Sequence, residues 1–194
     1  MRSSLDATRE RLRVLLHTLS YEEREVVLAS GQKSSFYVDV KQTALTGEGH
    51  ALIGRLFFAR LVALESAGAG PFAAVAGMSI GADPLSSSLA LTAHLAGREL
   101  TAIYVRKEAK GHGTGAYLEG TKSVPAGARV VLVEDVVTTG GSTLSACARV
   151  RDAGFVVTDV LAILDRAQGG RENLAKEGLA LHALFTLDDI RSAQ

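Results

Sequence analysis

Residues 129–144 read RVVLVEDVVTTGGSTL, and the order of residue types in this stretch decides the fold. An uninterrupted Val/Leu run marks a strand covered on both faces, as in a parallel sheet. The run meets the acidic pair Glu134 and Asp135 and continues through Val136 and Val137. Thr138, Thr139, Gly140, Gly141, Ser142 and Thr143 then offer backbone N–H groups and hydroxyls ahead of an Ala-rich helical segment. Strand, acidic pair, small-residue loop and helix form the ligand edge of an open α/β sheet. The N–H groups at such a helix start suit phosphate, and two carboxylates beside them suit polyol hydroxyls or a magnesium ion. The expected ligand therefore carries phosphate on one side and hydroxyls or a metal on the other. An ordinary βα turn is the plainer reading, but acidic pair, double threonine and double glycine occur here together. The stretch has neither the G-x-G-x-x-G of a dinucleotide fold nor the G-K-[ST] of a Walker loop.

Composition narrows the class. The chain has 194 residues, enough for one domain with a substantial core, and 47% of them are apolar, which excludes a disordered chain. Its 21 basic and 21 acidic side chains cancel, so no basic excess supports a nucleic-acid surface. The single cysteine, Cys147, excludes an internal disulfide framework and a cysteine zinc cluster, and reads as a small core residue. There is no apolar leader and no run of about eighteen apolar residues. The expectation is a soluble, cytoplasmic protein with neither a membrane nor a nucleic acid as partner.

Working outward, residues 72–76 read as a second buried strand. It leads into Gly77, Met78, Ser79, Ile80 and Gly81, a loop whose glycines let the backbone approach a second phosphate. Asp83 and Pro84 then start a helix over residues 85–96. Residues 100–105 form a strand, followed by Arg106, Lys107, Lys110 and His112 among glycines. That charge run is either a solvated face or a mobile anion-binding lid. Residues 120–127 turn the chain back to the central strand. A helix over residues 142–153 and a strand over 155–164 follow, ending in Asp165 and Arg166, a charge pair at the ligand edge or a salt bridge. A helix over 171–177 and a strand over 179–187 complete the pattern, with Asp188 and Asp189 ending the run. The pattern predicts an α/β fold with a mostly parallel central sheet flanked by helices.

Ahead of the sheet, residues 5–19 form an amphipathic helix, and residues 46–67 the longest helix, stopped by Gly68 and Gly70. Between them, residues 26–28 and 36–40 look like two strands of a hairpin. Lys33, Phe36 and Tyr37 there form one wall of a pocket for a flat ring, unless the hairpin is only an edge. No internal repeat or long linker divides the chain, so residues 1–194 read as one domain with residues 1–40 as a small hood.

These residues together resemble the orotate phosphoribosyltransferases, within the type I phosphoribosyltransferases. Residues 131–144 look like the phosphoribosyl pyrophosphate signature. SGQKSSFYVD at residues 30–39 is similar to the orotate family's N-terminal element, and RKEAKGHG at 106–113 to its catalytic loop. The resemblance implies a type I phosphoribosyltransferase fold. It also implies Mg2+-dependent, reversible transfer of the 5-phosphoribosyl group from phosphoribosyl pyrophosphate (PRPP) to orotate N1 in pyrimidine biosynthesis, giving orotidine 5-monophosphate and pyrophosphate. By the same resemblance, Glu134 and Asp135 hold the ribose hydroxyls, partly through magnesium, and act with Lys110 and His112 in catalysis. Val136 and Val137 bind PRPP together with Thr138, Thr139, Gly140, Gly141, Ser142 and Thr143, the last six wrapping the 5-phosphate. Gly77, Met78, Ser79, Ile80 and Gly81 form the pyrophosphate loop, and Arg106, Lys107, Lys110 and His112 contact the pyrophosphate. Lys110 and His112 reach the neighbouring site of a homodimer. Orotate meets Lys33, Phe36, Tyr37, Thr139 and Arg166. Two positions depart from many relatives: residues 78–81 contain no lysine, and Ala29 stands where a lysine precedes the Ser-Gly. A purine phosphoribosyltransferase and a non-catalytic nucleotide-sensing regulator on the same fold are the alternatives. The N-terminal element argues against the first, the lid and the neutral charge against the second.

Overall fold

A computed structural model describes residues 2–27, 33–34, 36–109 and 117–192, with main chain alone at residues 2, 3, 26, 27, 33 and 34. The elements run α1 (Arg2–Leu15), β1 (Tyr21–Glu22), β2 (Val26–Val27), β3 (Lys33–Ser34), β4 (Tyr37–Val38), α2 (Lys41–Ala44) and α3 (Gly47–Leu64). They continue with β5 (Ala74–Met78), α4 (Asp83–Leu95), β6 (Thr101–Val105), β7 (Leu118–Glu119) and β8 (Val130–Val137). The last are α5 (Gly141–Asp152), β9 (Asp159–Asp165), α6 (Gly170–Lys176), β10 (Ala180–Thr186) and α7 (Leu187–Arg191).

Six strands make the central sheet in the order β10-β9-β8-β5-β6-β7, all parallel except β7. Adjacent strands β5 and β8 send their chains in opposite directions, through α4 to β6 and through α5 to β9. That is the topological switch point at which open α/β sheets open a crevice. The pairing shows where it opens. β5 and β8 pair from Ala74↔Val130 to Ala76↔Leu132 and no further, whereas β8 and β9 pair on to Val137↔Asp165. The two strands part just before Glu134. Because the strands are parallel, the loops after β5, β6, β8 and β9 all emerge on this edge.

Both faces of the sheet are covered, which is why β8 reads as a continuous apolar run. Val131 and Val133 pack with Phe57 and Leu61 of α3, Leu85 and Leu89 of α4, and Leu12 of α1. Val130 and Leu132 pack on the other side with Ala146, Cys147 and Val150 of α5 and Leu174 of α6. Cys147 is 2% exposed, the small core residue its spacing implied. Each large apolar side chain buried in these layers stabilises by roughly 1.5–3 kcal/mol.

Several boundaries differ from the sequence reading, each for a local reason. β5 begins later and includes Gly77 and Met78. A Cβ on Gly77 would lie 2.3 Å from Ala82 Cβ and 2.5 Å from Val133 O, so this glycine lets the chain after β5 fold back closely. β7 was not foreseen; it is two residues long and ends at Gly120, whose φ of 90° turns the chain. Asp188 and Asp189 do not simply end β10. They form the first turn of α7, where Thr186 Oγ1 accepts from Asp189 N and Asp189 Oδ2 accepts from Thr186 N at 2.8 Å. The T-x-x-D spacing of this capping box was present in the sequence. The expected hairpin pairs differently. β4 pairs with β1 (Tyr21↔Val38) and β2 with β3 (Val26↔Ser34), so the aromatic strand's partner is the segment following α1.

Candidate active site

The parallel sheet brings four of the sequence-marked segments to one edge. Glu134 is 5% exposed, and its Oε2 accepts hydrogen bonds from Ser142 Oγ at 2.9 Å and Thr143 Oγ1 at 2.7 Å. Burial pushes its carboxyl up from 4.5 to about 7; Asp135 adds to the rise, and the two hydroxyls oppose it. Ser142 and Thr143 thus spend their hydroxyls on Glu134. Asp135 Oδ1 accepts from Val136 N at 2.8 Å. A Cβ on Gly81 would lie 2.9 Å from Asp135 Oδ2, so a residue with no side chain lets the two loops touch.

The anion loop turns at Gly140, which has φ 85° and serves as the N-cap of α5. The N-cap glycine offers no side chain to the first N–H groups of the helix. Val137 is 1% exposed, and its carbonyl oxygen accepts from Arg166 N at 2.9 Å. The carbonyl oxygens of Thr138 and Thr139 face α6: Thr138 O lies 2.7 Å from where a Gly170 Cβ would be, and Asn173 Nδ2 donates to Thr139 O at 3.1 Å.

Across the crevice, Ser79 N donates to Val105 O at 2.9 Å, and Ser79 Oγ donates to Asp83 Oδ1 at 2.8 Å. The Ser79–Ile80 peptide is cis, and Ile80 is 72% exposed. A cavity of about 320 Å³ is lined by Lys41, residues 78–81, Lys107, Glu134, Asp135, Val136 and Ser142. A neighbouring one of about 510 Å³ shares Ser79, Ile80 and Lys107 with it and adds Arg106 and Tyr104. Arg106 Nη1 donates to Glu119 Oε1 at 3.1 Å. Arg149 of α5 donates to the carbonyl oxygens of Arg106 and Lys107, and its guanidinium lies 4.3 Å from the Tyr117 ring centroid. One helix therefore holds both flanks of the 106–117 excursion. Lys110 and His112 lie outside the described residues, and so does the side chain of Lys33.

Arg166 stands apart chemically. Its guanidinium lies over the Phe36 ring, 5.1 Å from the centroid, and its buried Nε and Nη2 have no hydrogen-bond partner among the described residues. Burial holds its pKa below the ordinary arginine value. Asp165 and Arg166 do not form the salt bridge that their adjacency allows. Asp165 pairs with Arg171 Nη2 at 3.0 Å and accepts from Ala167 N at 2.8 Å. Phe36 also stacks on Tyr21 (6.2 Å between centroids), which stacks on His17 at 5.7 Å. Tyr37 points elsewhere: its ring lies against Arg24 at 4.7 Å. Of the hairpin aromatics, then, Phe36 reaches the Arg166 end.

Sequence reasoning missed Lys41, Tyr21 and Arg149. Their only sequence signals are a cation two residues after Asp39, an aromatic after α1 and an arginine two turns into α5; none forms a motif.

The comparisons with known proteins meet this geometry. No family model matches the chain. An orotate phosphoribosyltransferase of Sorangium cellulosum is 48% identical over 181 residues, spanning 93% of this chain and 92% of the relative. The chain belongs to the orotate phosphoribosyltransferases. Orotate phosphoribosyltransferase of Mycobacterium tuberculosis, in a crystal structure with Fe(III) dicitrate, matches at TM-score 0.78 and 37% identity over 94% of this chain and 98% of that one. The same M. tuberculosis protein in complex with 5-phospho-alpha-D-ribosyl 1-diphosphate matches at TM-score 0.75 and 34% identity, over 95% and 99%. Family and sheet agree with the type I phosphoribosyltransferase fold expected from the sequence.

Proposed function

We propose that the chain transfers the 5-phosphoribosyl group of phosphoribosyl pyrophosphate to orotate N1, releasing pyrophosphate and forming orotidine 5-monophosphate. The observation that carries this reading is Arg166. Arg166 is part-buried, and two of its guanidinium nitrogens are buried with no partner among the described residues, which is costly unless an acceptor arrives. The carboxylate of orotate supplies one while its ring lies beside Phe36. A neutral purine offers no such anion, which favours orotate over the purine alternative.

The chain's own residues divide the remaining work. The uncapped start of α5, with Thr138, Thr139, Gly140 and Gly141, takes the 5-phosphate. Glu134 and Asp135 face the ribose hydroxyls, and the charge of Asp135 favours positive charge at the anomeric carbon as its bond to pyrophosphate breaks. Residues 77–81, Arg106 and Lys107, with Lys110 and His112, meet the departing diphosphate. The donor set fits magnesium: the hard carboxylate oxygens of Glu134 and Asp135 line the cavity beside the proposed phosphate site. When bound, that ion would neutralise charge on the leaving group. We further propose that residues 1–194 act as one domain with residues 1–40 as the hood, that Lys110 and His112 serve the partner's site in a homodimer, and that the enzyme works in the cytoplasm. No described helix is long and apolar enough to cross a membrane.

The test is direct. Incubation with phosphoribosyl pyrophosphate, magnesium and orotate should deplete orotate absorbance with equimolar pyrophosphate release. No depletion with orotate, alongside turnover of adenine or guanine, would replace this reading with the purine one.

A further inference from the structure

We propose that Lys41 is a binding residue for the diphosphate of the phosphoribosyl donor, delivered from the hood side of the crevice; the inference rests on the phosphoribosyl-transfer reading above. Lys41 opens α2, and that short helix is firmly seated. Val40 is 0% exposed, and Thr43 is fully buried, with its hydroxyl 2.7 Å from Ser20 Oγ and donating to Leu15 O at 3.2 Å. A fixed backbone thus carries a flexible, half-exposed cation to the cavity shared by residues 78–81, Lys107, Glu134 and Asp135.

The charge balance of that cavity makes the lysine matter. Its lining holds two carboxylates and two cations, Lys41 and Lys107, while Met78, Ser79, Ile80 and Gly81 bring no charge. A diphosphate entering beside Glu134 and Asp135 needs opposing charge, and Lys41 is half of what the described lining supplies. The ammonium is also free to give it. Its Nζ lies 2.7 Å from Asp39 Oδ1 and 3.9 Å from Asp135 Oδ2. The first is a hydrogen bond and the second is too long to be one. An ammonium has three donors, so two remain for phosphate oxygens. Asp39 holds the charged form in place: its bond, foremost, raises the lysine above its ordinary value. Asp39 in turn accepts from Lys41 N and Gln42 Nε2, so the carboxylate is anchored and the lysine pivots on it.

A purely structural Lys41–Asp39 pair is the competing account, and Lys41→Gln separates the two, since glutamine can still donate to Asp39 but carries no charge. Calorimetric titration of the full chain with inorganic pyrophosphate plus magnesium, and separately with ribose 5-phosphate, should show pyrophosphate binding weakened by about 10-fold or more, as expected for a lost charged hydrogen bond. Ribose 5-phosphate affinity and melting temperature should stay near wild type, and Lys41→Arg should regain most of the loss. In turnover, KM for phosphoribosyl pyrophosphate should rise while KM for orotate stays level. Unchanged pyrophosphate affinity in Lys41→Gln would overturn the proposal, as would equal losses for both ligands with a lowered melting temperature. If Lys41→Gln does not fold, Lys41→Arg and Lys41→Met decide by the same ratio of the two affinities. A wild-type chain that turns over no orotate refutes the functional reading instead; normal wild-type turnover with an indifferent Lys41 refutes only this inference.

Discussion

The two halves of the site are built in opposite ways. The phosphate half, β8 with its loop and α5, lies in the middle of the sheet with core on both faces; Glu134 is fixed by two hydroxyls of the first turn of α5 and Asp135 by Val136 N. The base half is assembled from β1, β4 and the residue after β9, outside the main sheet. It is held by a column of rings and one guanidinium: His17, Tyr21, Phe36 and Arg166. The first half is contiguous in sequence and rigid by burial. The second is spread over about 150 residues and depends on stacking, each contact worth roughly 0.5–1.5 kcal/mol. On the proposed reading, the part common to phosphoribosyl transfer is set in the core, and the part that selects the base sits on elements whose side chains can change without disturbing the sheet.

That contrast can be broken or sharpened by experiment. The largest effect should come from Asp135→Asn, which removes charge from the rigid half. We expect turnover to fall on the order of 10²–10³-fold with little change in orotate KM; a loss confined to orotate KM would put Asp135 in the wrong half. Glu134→Gln should give a smaller, pH-dependent effect on stability. With a folded value near 7 against 4.5, the folded chain holds a proton between those values that the unfolded chain has lost. Wild-type stability therefore falls as pH rises through that window, on the order of 3 kcal/mol. Melting curves should show the Gln variant gaining on wild type between pH 5 and pH 8, and a gap independent of pH would contradict the burial account. Smallest is Tyr21→Ala, which removes the ring behind Phe36. Orotate KM should rise roughly 2–10-fold, with the KM of phosphoribosyl pyrophosphate level; equal changes in both would show that the column supports the whole site.

The same contrast explains what could be read from the chain. Residues 129–144 declare themselves because strand, acids, loop and helix are consecutive, and a buried parallel strand has a composition of its own. The family resemblance extended that reading to Phe36 and Arg166 and put both beside orotate. The contacts that bring them together were not legible, because they depend on β4 pairing with β1 and on Asp165 being taken by Arg171, neither of which leaves a local pattern. Lys41 was passed over because a single cation after a short strand looks like a solvated charge until the crevice is seen beside it. Two-residue β7 and five-residue α7 were too short for any periodicity to show, although Thr186 and Asp189 carried the cap.

The central claim is that the stacked half of the site selects a carboxylated pyrimidine through Arg166, and the most direct measurement compares orotate with uracil as acceptors for wild type and Arg166→Met. The account predicts that wild type strongly prefers orotate, and that the substitution lowers kcat/KM for orotate on the order of 10²-fold. It should leave uracil turnover and the KM of phosphoribosyl pyrophosphate near their wild-type levels. An orotate-to-uracil ratio that Arg166→Met does not change would contradict it.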